Sequence, residues 1–261
     1  MDTIDTSIDG GVAVVRLNRP PVNAVNRQMQ LELTEQFRAL SVDRTVAAVV
    51  LAATGERAFC GGIDLKETAA GLADDTTLPT QATLDPGWEW RTTQEAIRYC
   101  AVPVIAAVDG PAIGAGIGLV GVCDLIVASE RATFGLTEIN VGLLGGASKM
   151  LRMVGPFMAR RMLFFGELHS AAELYRFGGI EAVVPPGEAE QRAVELARKL
   201  TSKSPLALRL AKESVLRIEG REMEDRYRTE QDYTNRLRGF NDSAEAMAAF
   251  LERRQPTWTW S

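Results

Sequence analysis

Residues 108–120 read VDGPAIGAGIGLV, a glycine-rich stretch in the most hydrophobic part of the chain. One strand-like run, VPVIAAV, precedes this stretch, and another, CDLIVAS, follows it. Glycine inside a helix costs roughly 1 kcal/mol relative to alanine, so this many glycines need a reason. A strand that ends in a tight turn and opens a helix presents unpaired backbone N–H groups, which favour an anion or a developing negative oxygen. Ala115 lies where such an N–H would be presented.

A second turn of the same character, AFCGGIDLKE at residues 58–67, follows a strand-like run at 46–52. Small residues let a ligand approach the backbone closely, because no side chain stands in the way. One N–H from each turn would together form an oxyanion hole. Close packing after a buried strand also explains such turns, so the glycines alone leave both interpretations open.

Strand and helix patterns alternate along the chain and predict the elements that position these turns. Residues 4–8 and 12–17 suit a hairpin around Asp9-Gly10-Gly11. Asn26 is expected to cap a helix that runs to about Val42, with a core side formed by Leu31, Leu33, Phe37 and Leu40. Further strands are predicted at 46–52, 104–108 and 125–128, and helices at 188–202, 205–218, 222–237 and 242–253. The expected fold class is α/β with a helical C-terminal third.

Composition narrows the function classes. A chain of 261 residues suits one large domain, and a net charge of −5 without a basic run makes nucleic acid and anionic membranes poor partners. Its three cysteines lack metal-ligand spacing and no secretory signal is visible, which predicts reduced thiols and a cytoplasmic location. Residues 102–123 are apolar enough to suggest a membrane span, but two prolines, an aspartate and five glycines favour a strand, a turn and a packed helix.

Several other side chains are expected to have structural roles. His169, the only histidine, is predicted in a surface turn before Ser170, a helix N-cap. Cys60 is predicted to be a buried small residue rather than a nucleophile. Asp64 is expected to brace its loop, and Lys149 and Arg152 to lie on a solvated helix face.

Four tryptophans stand near flexible or terminal segments. Residues 69–88 have the composition of a mobile loop, and Trp88 and Trp90 follow it. Their rings are equally suited to covering an acyl chain and to packing in a core or an interface. Trp258 and Trp260, in the terminal TWTWS, are expected to dock on a neighbouring subunit or over a pocket.

Five motifs occur in an order and spacing that resemble one family. Together they resemble the enoyl-CoA hydratase/isomerase, or crotonase, superfamily from about residue 10 to 190. Each motif alone is modest, but five in order are specific. They are PPVNAVN at 20–26, AFCGGIDLKE at 58–67, PVIAAVDGPAIGAGIGL at 103–119, CDLIVAS at 123–129 and ATFGLTEINVGLLGGA at 132–147.

The resemblance implies a crotonase-like superhelix of repeated ββα units and a CoA thioester substrate. It implies no metal and no cofactor, because coenzyme A is part of the substrate. The backbone N–H groups of Ile63 and Ala115 would hold the thioester oxygen, and Lys66 would lie near the nucleotide end of the CoA. The residues implied for CoA or substrate binding are Asn23, Ala24, Gly62, Ile63, Asp64, Leu65, Lys66, Gly114 and Gly116.

The sequence departs from the hydratases at one position. Relatives that hydrate a double bond generally carry two glutamates that hold one water. The second corresponds to Glu138, but the first corresponds to Gly118. A single glutamate is typical of enoyl-CoA isomerases and of relatives that open a cyclic β-diketone with water. Glu138 is therefore the expected catalytic residue, and Gly118 marks the missing carboxylate.

Three functions remain open at this point. The first is isomerisation or hydration of an enoyl-CoA by one glutamate. The second is hydrolytic opening of a cyclic β-diketone acyl-CoA, as in actinobacterial steroid-ring breakdown. The third is acyl-CoA binding without turnover, against which the retention of Glu138 argues.

The resemblance also implies how the chain is organised and assembled. Residues 1–200 are expected to form the crotonase core with the CoA-thioester site. Residues 201–261 are expected to form a helical trimerisation region, because the predicted helices there carry many apolar positions. A homotrimer, or a hexamer made of two trimers, is the assembly that follows.

Overall fold

The computed structural model describes residues 1–64, 67, 82, 84–85, 87–141, 145–219 and 239–261. The predicted helix at 222–237 lies outside the described residues, as does most of the loop expected at 69–88. Within the part that is described, no helix is long and apolar enough to cross a membrane.

Nine strands and eight α-helices make up the described fold. The strands are β1 (Ile4–Asp9), β2 (Val12–Leu17), β3 (Ala48–Ala53), β4 (Val104–Val108), β5 (Ala112–Ile113), β6 (Leu125–Ser129), β7 (Thr133–Gly135), β8 (Leu168–Ser170) and β9 (Ala182–Val184). The helices are α1 (Arg27–Val42), α2 (Trp88–Arg98), α3 (Ala115–Val120), α4 (Ala147–Phe165), α5 (Ala171–Arg176), α6 (Ala189–Leu200), α7 (Pro205–Ile218) and α8 (Asn241–Glu252). A single 3₁₀ turn, Glu138–Val141, lies between β7 and α4.

The main sheet has the strand order β1-β2-β3-β4-β6-β9. Only the β1–β2 pair is antiparallel, and the other neighbours are parallel. All residues of β4 are buried, as expected for a central parallel strand covered on both faces. The small second sheet has the order β5-β7-β8 and follows directly from β4 and β6 in the chain.

Local sequence signals correctly predicted most of these elements. The β1–β2 hairpin turns at Gly10 and Gly11, whose φ angles of 53° and 81° are readily adopted only by glycine. Asn26 caps α1, since its side chain accepts a hydrogen bond of 3.0 Å from the Met29 N–H. The strands at 46–52, 104–108 and 125–128 and the helices at 188–202, 205–218 and 242–253 are found within one or two residues of the predicted bounds.

Two predictions about side-chain environment were wrong. Leu31 is 41% exposed, because the buried face of α1 runs through Met29, Leu33 and Phe37, and a residue two positions away lies on the far side of a helix. His169 is only 6% exposed and lies in β8 opposite Phe134, not in a surface turn. The predicted N-cap at Ser170 is correct and forms a capping box with Glu173.

Helix α2 lies on α1 and is held there by two polar contacts. The Arg27 Nε donates to Glu89 Oε2 at 2.8 Å, and the hydroxyls of Thr34 and Thr93 are 3.0 Å apart in the buried interface. This packing fixes the position of Trp90, in the first turn of α2.

The C-terminal end of the chain packs on its own core. The guanidinium groups of Arg44 and Arg209 lie 5.5 Å and 5.3 Å from the centre of the Trp260 ring. Arg209, on α7, also donates to the Ser41 carbonyl at the end of α1. Trp260 therefore packs against two arginines of its own chain and stays partly exposed, and its docking on a neighbouring subunit stays a prediction.

Candidate active site

The two glycine-rich turns lie side by side. Cys60 and Ala112 form a parallel bridge, in which the Cys60 N–H donates to the Pro111 carbonyl at 3.1 Å and the Ile113 N–H donates to the Cys60 carbonyl at 2.9 Å. On its other side, the same segment pairs with Val25 through hydrogen bonds to Gly62 and from Asp64, both 2.8 Å. Residues 60–64 therefore run between the 22–25 turn and the start of α3.

The N–H groups of Ile63 and Ala115 are both free of protein acceptors within the described part of the chain. Because Val25 bonds to Gly62 and Asp64, the N–H of the intervening Ile63 points away from Val25. Ala115 is the first residue of α3, and the first N–H groups of a helix have no intrahelical partner. Each turn thus offers a backbone donor that no described residue uses.

The close approach of the two turns requires a glycine at position 116. A methyl group on Gly116 would lie 2.7 Å from the Cys60 carbonyl oxygen, closer than real side chains come to such an atom. Cys60 itself is fully buried, and burial raises the pKa of its thiol to about 12. Cys60 is therefore a packing residue and stays protonated, as predicted.

Glu138 brings its carboxylate to the beginning of α3. Added methyl groups on Gly114 and on Gly145 would lie 3.2 Å and 2.8 Å from Glu138 Oε1. Its other oxygen, Oε2, is buried and has no hydrogen-bond partner among the described residues. A hydrogen bond of 3.0 Å from the Gly114 N–H to the Gly135 carbonyl ties the end of β7 to the start of α3, which places the glutamate there.

Gly118 faces an indole ring. A methyl group on Gly118 would lie 2.7 Å from Trp90 Cζ2 and 3.5 Å from Cη2. The ring of Trp90 therefore fills the space into which any side chain at position 118 would project. Ile63, Gly114, Ala115, Gly118 and Glu138 are brought together as the resemblance implied, and Trp90 and Gly145 complete the group.

Asn23 and Asp64, expected at the CoA site, are engaged by the protein. Asn23 is 1% exposed, and its amide donates to the carbonyls of Thr54 and Ala58 at 3.0 Å and 3.2 Å. Asp64 Oδ2 accepts a hydrogen bond of 2.6 Å from Arg19 Nη2, which confirms that Asp64 braces its loop. Arg19 also donates to the Ala24 carbonyl at 2.9 Å and so links the 19–25 turn to Asp64.

Sequence reasoning missed Arg19, because its two partners are 5 and 45 residues away and no motif marks it. Leu65 and Lys66, predicted to contact CoA, lie outside the described residues. The described residues contain no group of three or more His, Cys, Asp and Glu side chains that could hold a metal ion.

Comparison with known proteins agrees with this geometry. The sequence pattern of the family described as "Enoyl-CoA hydratase/isomerase" matches residues 7–260. The (7aS)-7a-methyl-1,5-dioxo-2,3,5,6,7,7a-hexahydro-1H-indene-carboxyl-CoA hydrolase of Mycobacterium tuberculosis is 35% identical over 253 residues, which are 97% of this chain and 100% of the relative. The 2,3-dehydroadipyl-CoA hydratase of Escherichia coli is 32% identical over 249 residues, 94% of each chain.

A solved structure gives the same answer for the fold. The enoyl-CoA hydratase of Bacillus anthracis superposes with a TM-score of 0.89 at 30% identity, covering 99% of this chain and 100% of that chain. The crotonase-like α/β fold expected from the five motifs is thereby confirmed. The chain belongs to the enoyl-CoA hydratase/isomerase family.

Proposed function

We propose that this protein is an acyl-CoA enzyme that works through one glutamate and two backbone donors. The observation that carries the proposal is the Glu138 carboxylate, which contacts Gly114 at the start of α3 and keeps one buried oxygen without a hydrogen-bond partner among the described residues. A buried polar atom without a partner is costly, and such atoms are common where a ligand supplies the missing contact. The third possibility, binding without turnover, gives no reason to keep that carboxylate there.

In the proposed mechanism, the N–H groups of Ile63 and Ala115 hold the thioester oxygen. Removing a proton from the α or γ carbon moves an electron pair onto that oxygen, and the two donors stabilise the resulting enolate. Loss of one such donor commonly costs about 3 kcal/mol. Glu138 takes the proton from one carbon and returns it to another, which shifts the double bond without consuming water.

The contact between Trp90 and Gly118 argues against hydration by two carboxylates. A water held between two glutamates needs a carboxylate at position 118, where the indole lies within 2.7 Å of an added methyl group. The wall opposite Glu138 is therefore apolar and suits a hydrocarbon portion of the substrate. Isomerisation of an enoyl-CoA is the reaction we favour for this arrangement.

Hydrolysis of a cyclic β-diketone acyl-CoA is the second candidate, and similarity to the M. tuberculosis hydrolase supports it. Here Glu138 would take a proton from water, and the hydroxide would form a bond to a ring carbonyl carbon. The ring C–C bond would then break, and its electron pair would form an enolate that takes up the proton held by Glu138. A flat indole beside the reacting group also suits a ring system.

We further propose that the two turns border the CoA. Gly62 and Gly114 would face the ligand, while Asn23 and Asp64 act by holding the turns. Gly116 would contribute by letting α3 approach Cys60. Coenzyme A enters as part of the substrate, and the chemistry described here needs no further cofactor.

We also propose a homotrimer or a hexamer in the cytoplasm. Helix α4 leaves Phe157 84% exposed, Phe164 66% exposed and Phe165 62% exposed, and Val215 on α7 is 51% exposed. So much aromatic surface on one helix is typical of a protein interface. Residues 1–200 would then supply the site, and residues 201–261 would share in the assembly.

Replacement of Glu138 by glutamine should lower turnover by at least about 10²-fold, because the amide keeps the shape but cannot accept the proton. Turnover is measured by liquid chromatography coupled to mass spectrometry on a panel of enoyl-, 3-hydroxy- and cyclic β-dicarbonyl-CoA thioesters. Isomers of equal mass separate on the column, and hydrolysis adds the mass of one water, so the same assay separates the isomerase from the hydrolase. Glu130→Gln, on an exposed turn, is the matched control and should leave the rate unchanged. Full activity in Glu138→Gln would refute the proposed mechanism.

The contact between Gly118 and Trp90 predicts a strong coupling between the two positions. Gly118→Ala should destabilise the protein by about 1–3 kcal/mol, since the new methyl group overpacks the indole. In a Trp90→Ala background the same change should cost much less, and urea unfolding of the four variants measures the difference. Equal costs in both backgrounds would show that Trp90 does not occupy this space.

Light scattering at micromolar concentration should give the mass of a trimer or a larger multiple. Phe157→Glu places a charge at the most exposed phenylalanine of α4 and should shift the mass toward that of a monomer. Lys203→Glu, a charge change at an exposed position elsewhere, should leave the assembly intact. A stable monomer in the unmodified protein would remove this proposal.

A further inference from the structure

A cavity of about 560 Å³ lies between α2, the end of α3, the first turn of α4 and the end of α7. It is open to the surface on one side and is lined by both charged and apolar groups. Four of its charged residues are cationic and two are anionic: Arg91, Arg98, Lys149 and Arg152 against Glu95 and Glu219. The cavity is thus positively charged in a chain whose net charge is −5.

Three of the four cations have partners. Arg98 and Arg152 share Glu219, and Arg91 pairs with Asp85. Arg152 Nη1 also donates to the carbonyls of Gly121 and Cys123 at 2.9 Å and 2.7 Å. These arginines are held in place, and Arg152 lines the cavity while staying on an exposed helix face, as expected.

Lys149 is the exception. It is half-buried in the first turn of α4, and no anion or hydrogen-bond acceptor pairs with its ammonium among the described residues. Burial, and then the nearby Arg98, lower the pKa of Lys149. A half-buried cation that has no paired anion among the described residues is suited to binding an anion from outside the protein. The expectation of a solvated helix face at this position was wrong.

Two segments of the chain run from the neighbourhood of the proposed catalytic glutamate to the cavity. Gly114, at the start of α3, contacts the Glu138 carboxylate, and Gly121, at the end of α3, lines the cavity. The seven steps from Gly114 to Gly121 span about 10 Å at 1.5 Å per residue. Likewise Gly145 contacts Glu138, while Ser148 and Lys149 line the cavity three and four residues later.

Helix α2 makes the same connection. Trp90 lies on Gly118, and Arg91 and Gln94 line the cavity immediately beyond it. The stem of Lys149 lies against the bare backbone of Gly121, where an added methyl group would be 2.5 Å from Lys149 Cβ. The near edge of the cavity therefore lies about 10 Å along α3 from the glycine that contacts Glu138.

We propose that this cavity binds a carboxylate at the far end of the acyl group, with Lys149 as its ion-pair partner. The inference rests on the proposed function and deepens it, because it selects acyl-CoA substrates or products that carry a second, free carboxylate. Opening of a ring by water leaves such a carboxylate on the acyl group, and dicarboxylic acids joined to CoA at one end carry it from the start. A small free carboxylate, not attached to CoA, would present the same charged group to the cavity.

Calorimetric titration with matched saturated thioesters tests the proposal without turnover. Adipyl-, pimelyl- and suberyl-CoA carry the distal carboxylate, and hexanoyl-, heptanoyl- and octanoyl-CoA have the same chain lengths without it. At least one dicarboxylic thioester should bind about tenfold or more tightly than its monocarboxylic match, the usual gain from a charge-assisted hydrogen bond. Lys149→Met should abolish that preference and leave the monocarboxylic series unchanged.

Lys203→Met is the matched control, since Lys203 is exposed and lies outside the cavity. It should keep the preference. The inference would be overturned if the unmodified protein showed no preference for the dicarboxylic thioesters, or if Lys149→Met kept that preference. In either case, binding of the monocarboxylic thioesters would still support the proposed function. If free adipate bound but the two thioester series had equal affinities, the cavity would not bind the far end of the acyl group, and the inference would be overturned. Failure of all six thioesters to bind would count against the proposed function itself.

Discussion

The contact between the first turn of α3 and residues 60–63 is the constraint on which the rest of the site depends. The Cys60–Ala112 bridge sets the two turns side by side, and Gly116 lets the helix lie against the Cys60 carbonyl. The proposed oxyanion hole needs this arrangement, because one N–H from each turn must approach a single oxygen. The parallel strands β3 and β4 impose this arrangement, since both turns follow their carboxyl ends and meet at one edge of the sheet.

The glycines within α3 and at its two ends each leave room for a different neighbour. Gly114 gives room to the Glu138 carboxylate, Gly116 to Cys60, Gly118 to Trp90 and Gly121 to Lys149. Neighbouring groups can therefore approach the backbone of α3 on several sides, because its glycines carry no side chains. The lost helix propensity of about 1 kcal/mol per glycine is offset by packing against these groups. At Gly118, where the resemblance implies a missing carboxylate, the neighbour is the indole of Trp90.

Features that depend on neighbours in the sequence were predictable. The Asp9-Gly10-Gly11 turn, the Asn26 cap and the Ser170 cap all follow from residues within three or four positions of one another. Leu31 was misplaced because an apolar residue was counted toward the core without regard to its angle around α1. His169 was misplaced because β8 pairs with β7, 35 residues earlier, and the three-residue strand has no pattern of its own.

The features of the site likewise fall into those that sequence motifs predict and those that depend on contacts between distant positions. The donors at Ile63 and Ala115 and the glutamate at 138 lie in motifs, so resemblance to a family was enough to propose them. The contacts of Trp90 with Gly118, of Arg19 with Asp64 and of Glu138 with Gly145 join positions that no motif links. Lys149 was assigned to a solvated face because nothing in its neighbourhood of the sequence reveals the cavity formed by α2, α3 and α7.

The proposed chemistry requires that two backbone N–H groups polarise a thioester carbonyl beside Glu138. Isotope-edited infrared spectroscopy measures this polarisation, with a saturated acyl-CoA labelled with ¹³C at the thioester carbonyl and bound to an excess of protein. The labelled C=O stretch should lie at lower frequency in the complex than in water, because two preorganised donors weaken the bond more than solvent does. A bound thioester whose band stays at its frequency in water would show that the two N–H groups do not hold the carbonyl oxygen.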